Sequence, residues 1–115
     1  QRTDRRSVSA EHTSRHDLHS AQEISALFAQ CAQEVSARSQ EIQLVGNRVG
    51  IKWRTKDFHT YSKQTILPQA TNDPRAILRV AWQLWQMRGE IRPIRLIGIT
   101  LSGLQEPSQQ MHFSF

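Results

Sequence analysis

At 115 residues and 37% hydrophobic composition, the chain can build one modest core but not a multi-domain enzyme. Its net charge of +5, with a pI near 10.4, biases its partners toward polyanions. A lone cysteine, Cys31, excludes a disulfide framework and a multi-thiol zinc site and fits a reducing, cytoplasmic setting, while the lack of any apolar run of about twenty residues argues against a membrane span or a secretory leader.

Gln1 to Asp4 is polar and linker-like, and reads as the start of an excised piece of a longer chain. From Arg5 to Glu11 the residues alternate, with Arg6, Val8 and Ala10 on one face and Arg5, Ser7, Ser9 and Glu11 on the other, the period-two pattern of a strand. A polar connection, Thr13 to His19, follows. Ser20-Ala21-Gln22-Glu23 is a capping box, in which serine and glutamate each satisfy an orphan backbone donor. Behind it Ile24, Leu27, Phe28, Cys31 and Val35 recur at threes and fours. This predicts a helix of about five turns, roughly 30 Å long, ending near Arg38 to Gln40.

Gly46-Asn47 signals a turn, beyond which Val49, Ile51 and Trp53 alternate with Arg48, Gly50, Lys52 and Arg54. The pattern predicts a strand with one apolar and one cationic face. Thr55-Lys56-Asp57 is a short link to a second strand, Phe58 to Leu67, which makes an antiparallel hairpin that Pro68 closes. Asn72-Asp73-Pro74 then supplies an N-cap and a proline at the first helical position. Ile77, Leu78, Ala81, Leu84 and Trp85 form the second helical stripe, with Gly89 placed as its C-terminal cap. Last comes Ile91 to Leu104, whose β-branched run Ile94, Leu96, Ile97, Ile99, Leu101 predicts a strand buried on at least one face. Arg95 and two hydroxyls sit inside it, which a purely structural strand does not require.

The order strand, helix, strand, strand, helix, strand resolves into an α+β two-layer sandwich, a four-stranded sheet with two helices on one face. The other face is left open, carrying Arg5, Ser7, Ser9, Arg48, Lys52, Arg54 and part of Thr60 to Thr65, with Tyr61 as its one aromatic. Cations alternating with small hydroxylic residues on extended strands can follow phosphate oxygens along a duplex. A face with so few rings is unsuited to stacking single-stranded bases.

Catalysis finds little support. The carboxylates are scattered, with no pair on one strand for two-metal phosphoryl transfer. Histidines 12, 16, 19, 59 and 112 have no metal-ligand spacing, and no glycine-rich phosphate loop is present. Cys31 reads as a small buried apolar residue, and Trp82 and Trp85 read as core aromatics. The chain reads as a binding module without catalytic residues, metal site or cofactor, and as a monomer with no membrane role.

Three stretches in order carry a resemblance: Arg5-Arg6-Ser7-Val8-Ser9-Ala10-Glu11; Asp57 to Pro68, DFHTYSKQTILP; and Arg92-Pro93-Ile94-Arg95-Leu96-Ile97-Gly98-Ile99 with Leu101-Ser102-Gly103-Leu104. Together they resemble the little finger domain of Y-family translesion DNA polymerases, the DNA polymerase IV branch in particular. The resemblance implies the same sandwich, with residues 1–104 as the DNA-binding domain. It implies a sheet lying in the major groove of primer/template duplex DNA, with phosphate contacts from Arg5, Arg6, Ser7, Ser62, Lys63 and Arg95. Many relatives carry a second basic residue after the position of Arg95, where this chain has Leu96. The tail 105–115 ends Gln110-Met111-His112-Phe113-Ser114-Phe115, which resembles the bacterial motif that inserts into the β sliding clamp. Gln110 would bond the pocket edge while Met111, Phe113 and Phe115 fill apolar subsites. The parent would be a lesion-bypassing, error-prone polymerase of the bacterial cytoplasm and nucleoid, its Mg2+-binding carboxylates in a palm domain outside this chain. The alternatives are the same domain from a catalytically inactive relative, or a ferredoxin-like protein-interaction module.

Overall fold

A computed structural model describes residues 7–87 and 93–107. The elements are β1 (Ser7–Leu18), α1 (Ala21–Glu41), β2 (Val45–Thr55), β3 (Thr60–Thr71), α2 (Pro74–Gln86) and β4 (Ile94–Gln105). The strands form one antiparallel sheet in the order β1-β4-β2-β3. The last strand is thus interior, and β1 and β3 are the edges. α1 packs over β1 and β4, and α2 over β2 and β3, giving the two-layer α+β sandwich that the alternating and helical patterns predict.

Both helices start as their sequences dictate. Ser20 Oγ accepts from the Glu23 N–H at 3.1 Å, and Asp73 Oδ1 accepts from the Arg75 N–H at 3.1 Å with Pro74 beginning the helix. The end of α1 has no glycine. Gln43 takes φ 61°, its N–H donates to Gln40 O, and the Leu44 N–H donates to Ser39 O; these are the two bonds of a Schellman cap. The helix α2 is capped by Met87, and Gly89 lies outside the described residues.

Between the layers an aromatic chain runs from helix to edge strand. Phe28 of α1 lies 5.7 Å from Trp85 of α2, Trp85 packs edge-on against Trp53 of β2 at 5.2 Å, and Trp53 stacks on Tyr61 of β3 at 5.6 Å. Around it pack Val8, Ala10, Val35, Val49, Ile51, Ile77, Ile97, Ile99 and Leu101. Trp53 is 3% exposed, and its Nε1 has no hydrogen-bond partner among the described residues.

Five expectations are corrected. β1 runs on through the polar Thr13 to Leu18, its register with β4 shifting between Thr13 and Leu18. Gly46-Asn47 is no turn but part of β2. A Cβ on Gly46 would lie 2.6 Å from Leu101 Cγ and 2.7 Å from Ser102 O, so the glycine serves a close strand approach. The hairpin loop is 56–59 rather than 55–57, with Phe58 at φ 69°, and β3 continues past Pro68 to Thr71. A proline is tolerated there because β3 is an edge. Finally, Tyr61 does not lie on the open face, because it is the register partner of Trp53 on the helix side.

Candidate nucleic-acid interface

Cross-strand partners share a face, so the register lays out the open side of the sheet as four rows across β1, β4, β2 and β3. They are Ser7–Ser102–Arg48–Ile66, Ser9–Thr100–Gly50–Gln64, Glu11–Gly98–Lys52–Ser62 and Thr13–Leu96–Arg54–Thr60. Rows follow one another at about 6.6 Å, two residues of strand rise. No aromatic ring belongs to any row. A stripe of hydroxyls on β1 and β4 faces a stripe of cations on β2, and Ser9 Oγ and Thr100 Oγ1 are 2.8 Å apart within it. Arg54 Nε donates to Thr60 Oγ1 at 3.0 Å, whereas Arg48 is exposed and has no ion-pair partner among the described residues. Because Gly50 has no side chain, a hollow of about 490 Å3 opens beside Lys52, Ser62, Gln64 and Thr100.

The anticipated contact residues are distributed unevenly. Ser7 and Ser62 are exposed in these rows. Lys63 is the partner of Ile51, so its Cβ is on the helix side of the edge strand, although the residue borders the hollow. Arg95 stands where the β1 register slips. Its Nε donates to Ser14 O at 3.2 Å, its Nη2 to Arg15 O at 3.2 Å and its Nη1 to Asp17 Oδ1 at 3.4 Å. The guanidinium fastens the irregular end of β1. Leu96, next to it, belongs to the open face; it is only 5% exposed yet stands outside the core cluster. Arg5, Arg6, Gln110, Met111, Phe113 and Phe115 lie outside the described residues.

Most carboxylates have local work. Glu11 pairs with Lys52 at 2.8 Å, Asp17 with Lys56 at 3.5 Å as well as with Arg95, and Asp57 with His59 at 3.2 Å. The histidines near the start of α1 serve as struts: His12 Nε2 is 3.0 Å from both carboxylate oxygens of Glu34, and His16 Nε2 is 3.3 Å from Glu23. That His16 contact, with help from the Ser20 cap, holds the Glu23 carboxyl below its ordinary range. Burial pushes the Cys31 thiol up to about 12, leaving it unreactive. Among the described residues no three His, Cys, Asp or Glu side chains gather to hold a metal. No described helix is long and apolar enough to cross a membrane.

Fold and face together define an α+β module that presents a ring-free, cationic and hydroxylic sheet surface among the described residues. Residues 5–113 match the model of the impB/mucB/samB family C-terminal domain, and the chain belongs to that family, as the C-terminal domain of Y-family polymerases. A DNA polymerase IV of Corynebacterium diphtheriae is 30% identical over 92% of this chain and 24% of its own length. One from Exiguobacterium sibiricum is 33% identical over 90% and 29%. The chain therefore spans about a quarter of the length of the curated relatives it matches. Among solved structures, a complex of a β-clamp processivity factor with the little finger domain of polymerase IV superposes with TM-score 0.72 at 23% identity, covering 86% of this chain and 89% of that one. An insertion ternary complex of Dbh DNA polymerase gives TM-score 0.75 at 16% identity, covering 87% and 29%. These two likenesses establish the fold.

Proposed function

We propose that the chain grips primer/template duplex DNA with its open sheet face, as the DNA-holding domain of an error-prone, lesion-bypassing DNA polymerase of the bacterial cytoplasm. The observation that carries this reading is the set of four rows in which Arg48, Lys52 and Arg54 face serine and threonine hydroxyls with no ring among them. Arg48 and Arg54 bind phosphates in either strand, and hydroxyls and exposed strand positions fix the register without reading bases. Ser7 and Ser62 join them directly, and the family resemblance assigns further phosphate contacts to Arg5 and Arg6. Lys63 acts from the edge, while Arg95 contributes chiefly by holding β1 in place. Residues 1–104 are the DNA-binding unit and 105–115 a tether, in which Gln110, Met111, Phe113 and Phe115 bind the β sliding clamp. The complex with a β-clamp factor formed by a little finger of the same fold supports that attachment. Nucleotide transfer, with its Mg2+, is assigned to a palm domain elsewhere in the parent; the described residues hold no set fitted to that ion, and no step of it runs through them.

The test is a salt titration of duplex binding by fluorescence anisotropy, paired with clamp binding. Changing Arg5, Arg6, Arg48 and Arg54 together to glutamine is expected to flatten the slope of log K against log salt by about 0.9 for each phosphate that is no longer neutralised. Deleting 105–115 is expected to abolish clamp binding and leave the slope intact. An unchanged slope in the quadruple variant rejects the face, and equal loss of both activities in the deletion rejects the division into domain and tether. A second reading, a protein-interaction module, has one observation in its favour: a groove of about 520 Å3 on the helix side, between Ser25 of α1 and Arg75, Leu78 and Trp82 of α2. Absence of any salt-sensitive DNA association would select it.

A further inference from the structure

Among the described residues the four rows of the open face contain one carboxylate, and its position is specific. Glu11 on β1 and Lys52 on β2 are both register partners of Gly98 on β4, so they are two strands apart, about 9.6 Å at the usual strand spacing. Even so, Lys52 Nζ is 2.8 Å from Glu11 Oε1. The two side chains meet over Gly98, the only position of the row without one. A Cβ there would lie 3.0 Å from Glu11 Cβ and 3.2 Å from Ala10 O, displacing the glutamate from the line to Lys52. The hollow beside Gly50 borders the same lysine, and Ser62 is its neighbour on the far side.

We infer that Glu11 is an affinity-setting residue of this face: by bridging Gly98 it keeps Lys52 out of phosphate contact, so that the duplex is held by the remaining cations. The inference rests on the reading of this face as the duplex surface. Glu11 and Lys52 are both substantially exposed, and an exposed pair of this kind adds little to fold stability. Its effect falls instead on the ligand. A fixed carboxylate beside a lysine satisfies the ammonium and repels the phosphate that would otherwise take it. A weaker grip suits a domain that must move along DNA without a sequence preference.

The salt slope separates this from a simple change of net charge, because it counts the phosphates neutralised. Glu11→Gln frees Lys52 to reach one more phosphate. The slope is expected to steepen by about 0.9, and affinity to fall about threefold more than that of the unaltered chain between 50 and 200 mM salt. Lys52→Gln alone is expected to leave the slope unchanged, because the lysine does not reach a phosphate while Glu11 holds it, but to flatten it by about 0.9 in the Glu11→Gln background. Glu41→Gln, which makes the same change in net charge at the far end of α1, is expected to leave the slope as it was. An unaltered slope in Glu11→Gln overturns the inference, and so does equal flattening by Lys52→Gln in both backgrounds; in either case salt-dependent binding by the unaltered chain leaves the duplex reading standing. Absence of salt-dependent binding by the unaltered chain overturns both.

Discussion

Two glycines on the same strand have opposite tolerances, and their surroundings say why. At Gly46 a methyl group would enter within 2.6 Å of Leu101 Cγ and 2.7 Å of the Ser102 carbonyl oxygen; the latter is backbone in a central strand and cannot give way. At Gly50 the nearest atoms are 3.5 Å away, ordinary contact. Gly46→Ala is therefore expected to destabilise the domain by about 1–3 kcal/mol, the usual cost of overpacking, and Gly50→Ala to remain near neutral. Urea unfolding measures both, and equal midpoints would contradict the close strand approach. Gly50→Ala also fills the hollow beside Lys52, so its effect on DNA is separable from any on stability. Sequence alone could not rank these residues, because the strand approach at Gly46 comes from a register set far away in the chain.

At the scale of elements, caps and stripes were legible and the two tight turns were not. Ser20 with Glu23 and Asp73 with Pro74 announced both helix starts, since their side chains act on backbone a few residues away. The α1 stop and the β2–β3 hairpin rely instead on Gln43 at φ 61° and Phe58 at φ 69°, left-handed positions where glycine or asparagine is the usual signal. The hairpin loop starts one residue and ends two residues later than its sequence suggests, and β3 has no clean apolar alternation, so pattern alone does not tell which face carries Tyr61 or which of Ser62 and Lys63 points away from the helices. Arg95 was legible as an anomaly but not as an anchor, because its partners are carbonyls of a β1 extension that has no apolar alternation. Gln43 leads to a direct expectation. A non-glycine residue in the left-handed region costs about 1–2 kcal/mol, part of which glycine gives back through greater freedom of the unfolded chain. Gln43→Gly should therefore stabilise the domain by about 0.5–1 kcal/mol. A lowered thermal midpoint would show that the Gln43 side chain makes compensating contacts.

For the molecule as a whole, the core and the face proposed to contact DNA occupy opposite sides of one sheet. Period two in the strands puts Val49, Ile51 and Trp53 against the helices and Arg48, Lys52 and Arg54 away from them, so a substitution acts on one side or the other. The chain of rings from Phe28 through Trp85 and Trp53 to Tyr61 joins α1, α2, β2 and β3, and no layer can loosen without exposing it. Unfolding should then be a single transition, with tryptophan fluorescence and far-ultraviolet circular dichroism coinciding. Trp85→Phe removes part of the edge-on contact at the centre of that chain and is expected to cost about 1–3 kcal/mol. Duplex affinity, measured well below the unfolding midpoint, should stay within about twofold, since Trp85 is 2% exposed and on the far side of the sheet. Arg48→Gln with Arg54→Gln should do the reverse, leaving the midpoint within about 0.5 kcal/mol while flattening the salt slope by about 1.8, the share of two phosphates. Separate transitions for the two probes would divide the helix layer from the sheet. A loss of DNA binding that tracks stability in Trp85→Phe would mean that the open face is held in register by the rings beneath it and is not independent of them.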